Sequence, residues 1–156
     1  MTQFSGKKAN IYAVIKEEDT TTLFDHFIID NKVLFLSELK DIISRLQTIG
    51  KRTGAQEYFF KLKEGKPGDG VCALYDNPNS NLRLYCIRYG NDLIVVGGGG
   101  HKPKSIRALQ EDAKLKAENE LLKWLSQEIT KRTTDGTIIF SEDGFEGELI
   151  IEDYEA

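Results

Sequence analysis

The chain has 156 residues, a formal net charge of −4, 40% apolar residues and 29% charged ones. This is ordinary for one soluble globular domain with a real core, and it excludes a disordered or fibrous chain. No apolar run approaches the roughly 18 residues of a membrane span. MTQFSGKKANIYAV at the start has no apolar h-region, which predicts no secretory signal and a cytoplasmic protein.

The predicted elements begin with a strand over Ile11 to Ile15. A short helix over 20–31 follows, with Leu23, Phe24, Phe27 and Ile28 at helical spacing, and His26 beside them reads as structural. Val33 to Leu36 is ambiguous. Ser37 is an N-cap candidate for a second helix, in which Leu39, Ile42, Ile43, Leu46 and Ile49 recur at three and four; Gly50 or Gly54 ends it.

Tyr58 to Gly65 reads as a strand or an extended run, then KPGDG as a turn, then Val71 to Asp76 as a strand. After the turn NPNSN, strands are expected at Leu82 to Tyr89 and Asp92 to Val96, joined by Gly90–Asn91. These runs suit an antiparallel meander. Gly97–Gly100 reads as a flexible strand exit, or as a close backbone approach to a ligand. Its spacing matches neither a Walker A loop nor a GxGxxG fingerprint.

A long helix is predicted over Ile106 to Ile129, capped by Ser105. Strands over 137–140 and 148–152, around Glu142–Asp143–Gly144, make a terminal hairpin. The fold class is α+β: N-terminal helices, an antiparallel β-meander, a long C-terminal helix and an appended acidic β-hairpin. Residues 1–134 read as the main domain, and residues 135–156 as an acidic hairpin or tail packed on it.

Cys72 and Cys86 lie in strand-like runs with no CxxC or zinc spacing, which predicts two buried thiols and no metal site. All 21 basic residues lie in 1–134 against 17 acids; residues 135–156 hold eight acids and no Lys or Arg. A mildly basic body suits nucleic acid, and the tail would repel it or cover the basic surface.

Chemistry concentrates between Leu82 and Lys104. Alternation sets Arg83 and Tyr85 on one strand face, opposite Leu82, Leu84 and Cys86. Arg holds a phosphate bidentately, and Tyr stacks a base. His101, Lys102 and Lys104 follow the glycines. An RNase-type transphosphorylation needs a base for the 2′-OH proton, an acid for the leaving oxygen and cations for the transition state. The candidate catalytic residues are Arg83, His101 and Lys102, and the candidate substrate contacts are Tyr85, Lys104 and Arg88.

These residues resemble the RelE/ParE superfamily of toxins from bacterial toxin–antitoxin pairs. The similarity lies in Leu82-Arg83-Leu84-Tyr85, Asp92-Leu93-Ile94-Val95-Val96, Gly98-Gly99-Gly100-His101-Lys102, and a helix starting near Ala108-Leu109-Gln110-Glu111-Asp112-Ala113. It covers roughly residues 11–130, where two helices precede a meander. The resemblance implies a small α+β endoribonuclease toxin, independent of metal or other cofactor, that cuts messenger RNA at the ribosome and has an antitoxin protein as partner. Arg83 would grip phosphate, Lys102 would be the basic residue after the glycines, and His101 would be the acid or base. The alternatives are a catalytically inactive protein-binding module on the same fold, and a gyrase-directed toxin of the ParE branch.

Overall fold

The structure is a computed structural model that describes residues 1–74, 79–102 and 109–152, with the backbone alone for 109–112. In chain order the elements are β1 (Asn10–Ala13), α1 (Leu23–Asn31), α2 (Leu36–Thr48), β2 (Phe60–Lys61), β3 (Val71–Leu74), β4 (Leu82–Tyr89), β5 (Leu93–His101), α3 (Leu109–Asp135), β6 (Ile138–Ser141) and β7 (Gly144–Gly147). The five-stranded sheet has the order β1-β5-β4-β3-β2, and β6 and β7 form a separate hairpin. The predicted α+β class and element order hold. The sheet is mixed, however: β2 to β5 run antiparallel, while β1 pairs in parallel with β5. A parallel edge needs a crossover, which α1, α2 and the meander supply.

Local chemistry explains most boundaries. Thr22 and Asp25 make a reciprocal capping box at the start of α1: the Asp25 amide donates to Thr22 Oγ1 at 2.9 Å, and the Thr22 amide donates to the Asp25 carboxylate at 3.0 Å. α2 begins one residue before Ser37, at Leu36, with Phe35 in the cap position and no side-chain cap. It passes into a π-helical turn, Ile49–Thr53, and stops at Gly54, whose φ of +77° favours glycine. Of the expected strand at 58–65, only Phe60–Lys61 pairs; a 3₁₀ turn occupies Glu57–Phe59. The segment 148–152, read as a strand, is unpaired; β6 turns back through Glu142–Asp143 onto Gly144–Gly147 instead. Ser105, the expected cap of α3, lies outside the described residues.

The sheet separates two apolar layers. Leu82, Leu84, Cys86, Ile94 and Val96 pack on α1 and α2; Tyr85, Ile87, Leu93 and Val95 pack on α3. Cys72 and Cys86 face each other across β3 and β4 as free, buried thiols. Burial pushes the Cys72 thiol up to about 12, so neither is a nucleophile at neutral pH.

The tetraglycine is strand, not exit: β5 continues through it to His101. The glycines let other groups approach closely. A Cβ on Gly98 would sit 2.4 Å from the Glu118 carboxylate of α3, and one on Gly99 would sit 1.9 Å from the Arg83 carbonyl oxygen. The pairing also slips here. Leu84 opposes Gly99 but Cys86 opposes Val96, so two glycines, Gly97 and Gly98, stand against Tyr85 alone. This bulge reverses the alternation of β5 beyond it.

Candidate functional site

β4 sends Arg83 and Tyr85 toward α3, and the bulge sends Lys102 the same way. Together with Glu64, Leu115, Lys116, Asn119, Glu120 and Lys123 they line a cleft of about 520 Å³ between sheet and helix. Four cations face two carboxylates, so the cleft is net positive. Lys116, Asn119, Glu120 and Lys123 recur at three and four residues along α3, which puts them on one helix face. That spacing was readable in the sequence, but only the fold turns this face toward Arg83.

The cleft is braced from below and beside. Asn119 and Ser126 are the buried polar side chains of α3. Asn119 Nδ2 donates to the Glu64 carbonyl at 2.8 Å, and Ser126 Oγ donates to the Asp69 carbonyl at 2.6 Å. They pin the β2–β3 loop to α3 and fix Glu64 as a wall of the cleft. Lys63, just before it, adopts the left-handed conformation at φ 68°, a strained state held by that pinning. Burial pushes the Tyr85 hydroxyl above its ordinary range, and hydrogen bonding with Arg83 and Asn119 works against that shift. Tyr85 is therefore a neutral hydrogen-bonding group at the cleft floor rather than an exposed stacking platform. Lys102 is held in place: its amide donates to the Asn81 carbonyl at 2.7 Å, and its Nζ donates to Ser80 Oγ at 3.0 Å.

The other sequence candidates lie elsewhere. His101 precedes Lys102 and so faces the opposite side of the sheet, where its ring stacks on Phe35 at 5.2 Å. Arg88 sits toward the far end of β4. Its Nε donates to the Ala55 carbonyl at 2.7 Å and its NH2 to Asn91 Oδ1 at 2.6 Å, and Glu57 lies 3.7 Å from NH1. Arg88 thus ties the loop after α2 to the β4–β5 turn, outside the cleft. Lys104 lies outside the described residues.

A second polar cleft, about 250 Å³, opens where β1 has ended and α1 covers the bare edge of β5; Lys16, His26, Asp30, Lys114 and Glu118 line it around Gly99. His26 points into this cleft rather than the core, 3.1 Å from Thr21 Oγ1 and 3.4 Å from Asp19. Lys114 reaches Asp30 at 3.7 Å and Glu118 at 4.0 Å, joining α1 to α3. Burial raises the Glu118 carboxyl, with Lys114 and Lys16 opposing. Among the described residues no group of three or more His, Cys, Asp or Glu is placed to hold a metal ion. No helix among them is long and apolar enough to cross a membrane.

No family model matches the chain, and no curated protein or solved structure matches it.

Proposed function

We propose that the chain is an endoribonuclease toxin of a toxin–antitoxin pair whose phosphate grip is the cleft around Arg83. The observation that carries this reading is the convergence of Arg83, Lys102, Lys116 and Lys123 in one concave site with Tyr85 and Asn119. Arginine and lysine in a cleft neutralise a phosphodiester and strengthen as charge builds on its oxygens. In the reaction the ribose 2′-oxygen bonds to phosphorus, the P–O5′ bond breaks, and a 2′,3′-cyclic phosphate and a 5′-hydroxyl result. The nucleophile belongs to the substrate, so the protein supplies charge and proton transfer. Arg83 and Lys102 stabilise the pentacoordinate phosphorane. The carboxylates available in the cleft to accept the 2′-OH proton are Glu64 and Glu120, the latter also pairing with Lys123 at 3.1 Å, and the carboxyl so protonated returns that proton to the leaving 5′-oxygen. Messenger RNA at the ribosome, a cytoplasmic setting and an antitoxin partner belong to the same proposal, and they come from the resemblance.

The test is cleavage of a single-stranded RNA by the purified chain in the presence of EDTA, with the new ends mapped. Cyclic phosphate ends are expected, and Arg83→Ala should slow the reaction at least about tenfold, as loss of a transition-state donor does. Full activity in Arg83→Ala removes this cleft from catalysis, and no cleavage of any RNA removes the ribonuclease reading.

A protein-binding module without catalysis is the second reading. It is favoured by one observation: Ile29, Val33, Leu34 and Leu36 form an exposed apolar patch at the α1–α2 turn. Absence of RNA cleavage together with capture of a protein partner that is lost in Val33→Ser/Leu34→Ser but kept in Arg83→Ala would select it.

A further inference from the structure

A different surface lies at the other end of the sheet. There β1, α3 and the C-terminal segment enclose a groove of about 760 Å³, floored by Tyr12, Leu121, Trp124, Leu125, Phe145 and Ile151. Lys16, Glu17 and Glu152 stand at its mouth. Around it, large apolar side chains face outward: Ile15, Phe140, Leu149 and, 71% exposed, Ile150. An apolar groove continuous with exposed aliphatics is costly in water unless something covers it.

The chemistry of the rim restricts what that is. Glu17 and Glu152 line the groove with Lys16, and the exposed Glu146 and Glu148 stand on the segment that leads into its wall. Nucleic acid and anionic lipid are repelled by such a rim. A second copy meeting this surface with its own groove end would set like charges against each other, and one meeting it with the apolar patch of Ile29, Val33, Leu34 and Leu36 would show as the dimer that overturns the inference below. Residues 149–152 form one wall of the groove: Ile151 packs on the α3 layer, the Glu148 amide donates to the Thr137 carbonyl at 3.1 Å, and the Ile150 amide donates to the neighbouring Glu148 carboxylate at 3.2 Å. We infer that this groove docks a basic amphipathic segment of a partner protein, its aliphatic face on Trp124 and Phe145 and its Lys or Arg side chains on the acidic rim. Such helix-in-groove docking takes its affinity from the apolar face and its orientation and selectivity from the charges.

Trp124 is the only tryptophan of the chain, so its emission reports the groove directly. The probe is a synthetic helix of about 18 residues, five turns, with Leu on one face and Lys on the other. The control is the same peptide with Glu for Lys. The Lys peptide is expected to shift Trp124 emission saturably, and the Glu peptide to bind at least about tenfold more weakly. Raising the salt to about 0.5 M should weaken the Lys peptide by a similar factor. A Glu146→Lys/Glu148→Lys/Glu152→Lys variant should lose most of the response, and Ile150→Ser should weaken it; all four residues are exposed, and circular dichroism verifies the fold. Three results overturn the inference: equal binding of the two peptides, an unchanged Trp124 on addition of the Lys peptide, or a concentration-dependent dimer that alters Trp124 with no peptide present. None of these readouts depends on RNA, so the inference stands or falls apart from the proposed cleavage.

Discussion

Arg83 and His101 show what a single residue's sequence position reveals and conceals. Period-two alternation places Arg83 and Tyr85 on one face without any knowledge of the rest of the chain, and the structure finds them there. The same alternation, applied to β5 from Leu93 and Val95, carries His101 to that face and Lys102 away from it. The structure has the reverse, because the bulge adds a residue that no local pattern announces. His101→Gln is therefore expected to leave the pH dependence of the proposed RNA cleavage unaltered and to cost stability through the lost Phe35 stack. A pH–rate profile that flattens in this variant would return His101 to the chemistry. Glu118 carries a second expectation at this scale. Its carboxyl is raised by burial from an ordinary value of 4.5, so folding takes up a proton. Stability from this group is then greatest at low pH and falls as pH rises through the folded-state value. Glu118→Gln should raise the melting temperature at neutral pH, and the gain should vanish near about pH 4, where the wild-type carboxyl is protonated folded or unfolded. A pH-independent difference between the two proteins would contradict the assignment.

Among the elements, β5 departs furthest from its sequence. Four consecutive glycines carry weak strand propensity, so a flexible exit is the natural reading. Tertiary contact overrides it: β4 pairs with the run, and α3 lies against it too closely for side chains. The glycines are not equivalent. Gly99→Ala forces a Cβ onto a backbone oxygen that has nowhere to go, and should cost about 2–3 kcal/mol. For a chain of this size that lowers the melting temperature by roughly 4–12 °C. Gly100→Ala meets the flexible Lys114 side chain at 3.4 Å and Leu115 Cδ2 at 3.6 Å, both ordinary contacts, and should change stability by less than about 1 kcal/mol. Equal effects in thermal melts would mean that the approach at Gly99 is wrong. Removing one glycine from the bulge should restore simple alternation, turning His101 into the Arg83 cleft and Lys102 out of it. The helices α1, α2 and α3 were legible because each buries a periodic apolar stripe. The segment 148–152 was not, because its aliphatic run has strand composition and no strand to join.

At the scale of the whole molecule, the charge count was legible and its placement was not. The sequence shows eight acids after residue 134, and an acidic tail suggests a cover for a basic site. The hairpin instead docks where Phe145 meets Tyr12 at 5.3 Å and Tyr89 at 5.4 Å. Tyr89 closes the end of β4 remote from Arg83, about 20 Å away along the strand. That is about two and a half times the screening length at physiological salt. Truncation after Thr134 is therefore expected to change RNA affinity by less than about threefold at that salt, and to lower the melting temperature by exposing the floor beneath Ile138 and Phe145. A truncated chain that remains folded by circular dichroism and binds RNA tenfold tighter would show that the tail does reach the cleft. The segregation has another consequence. A molecule whose Arg83 cleft is net positive and whose C-terminal hairpin is net negative feels a torque near any polyanion, and it turns before it touches. Despite its net −4, the chain should approach RNA cleft-first, with association steeply quickened at low ionic strength. On a column the same asymmetry should let it adhere to both heparin and an anion exchanger, each resin holding an opposite pole of one protein.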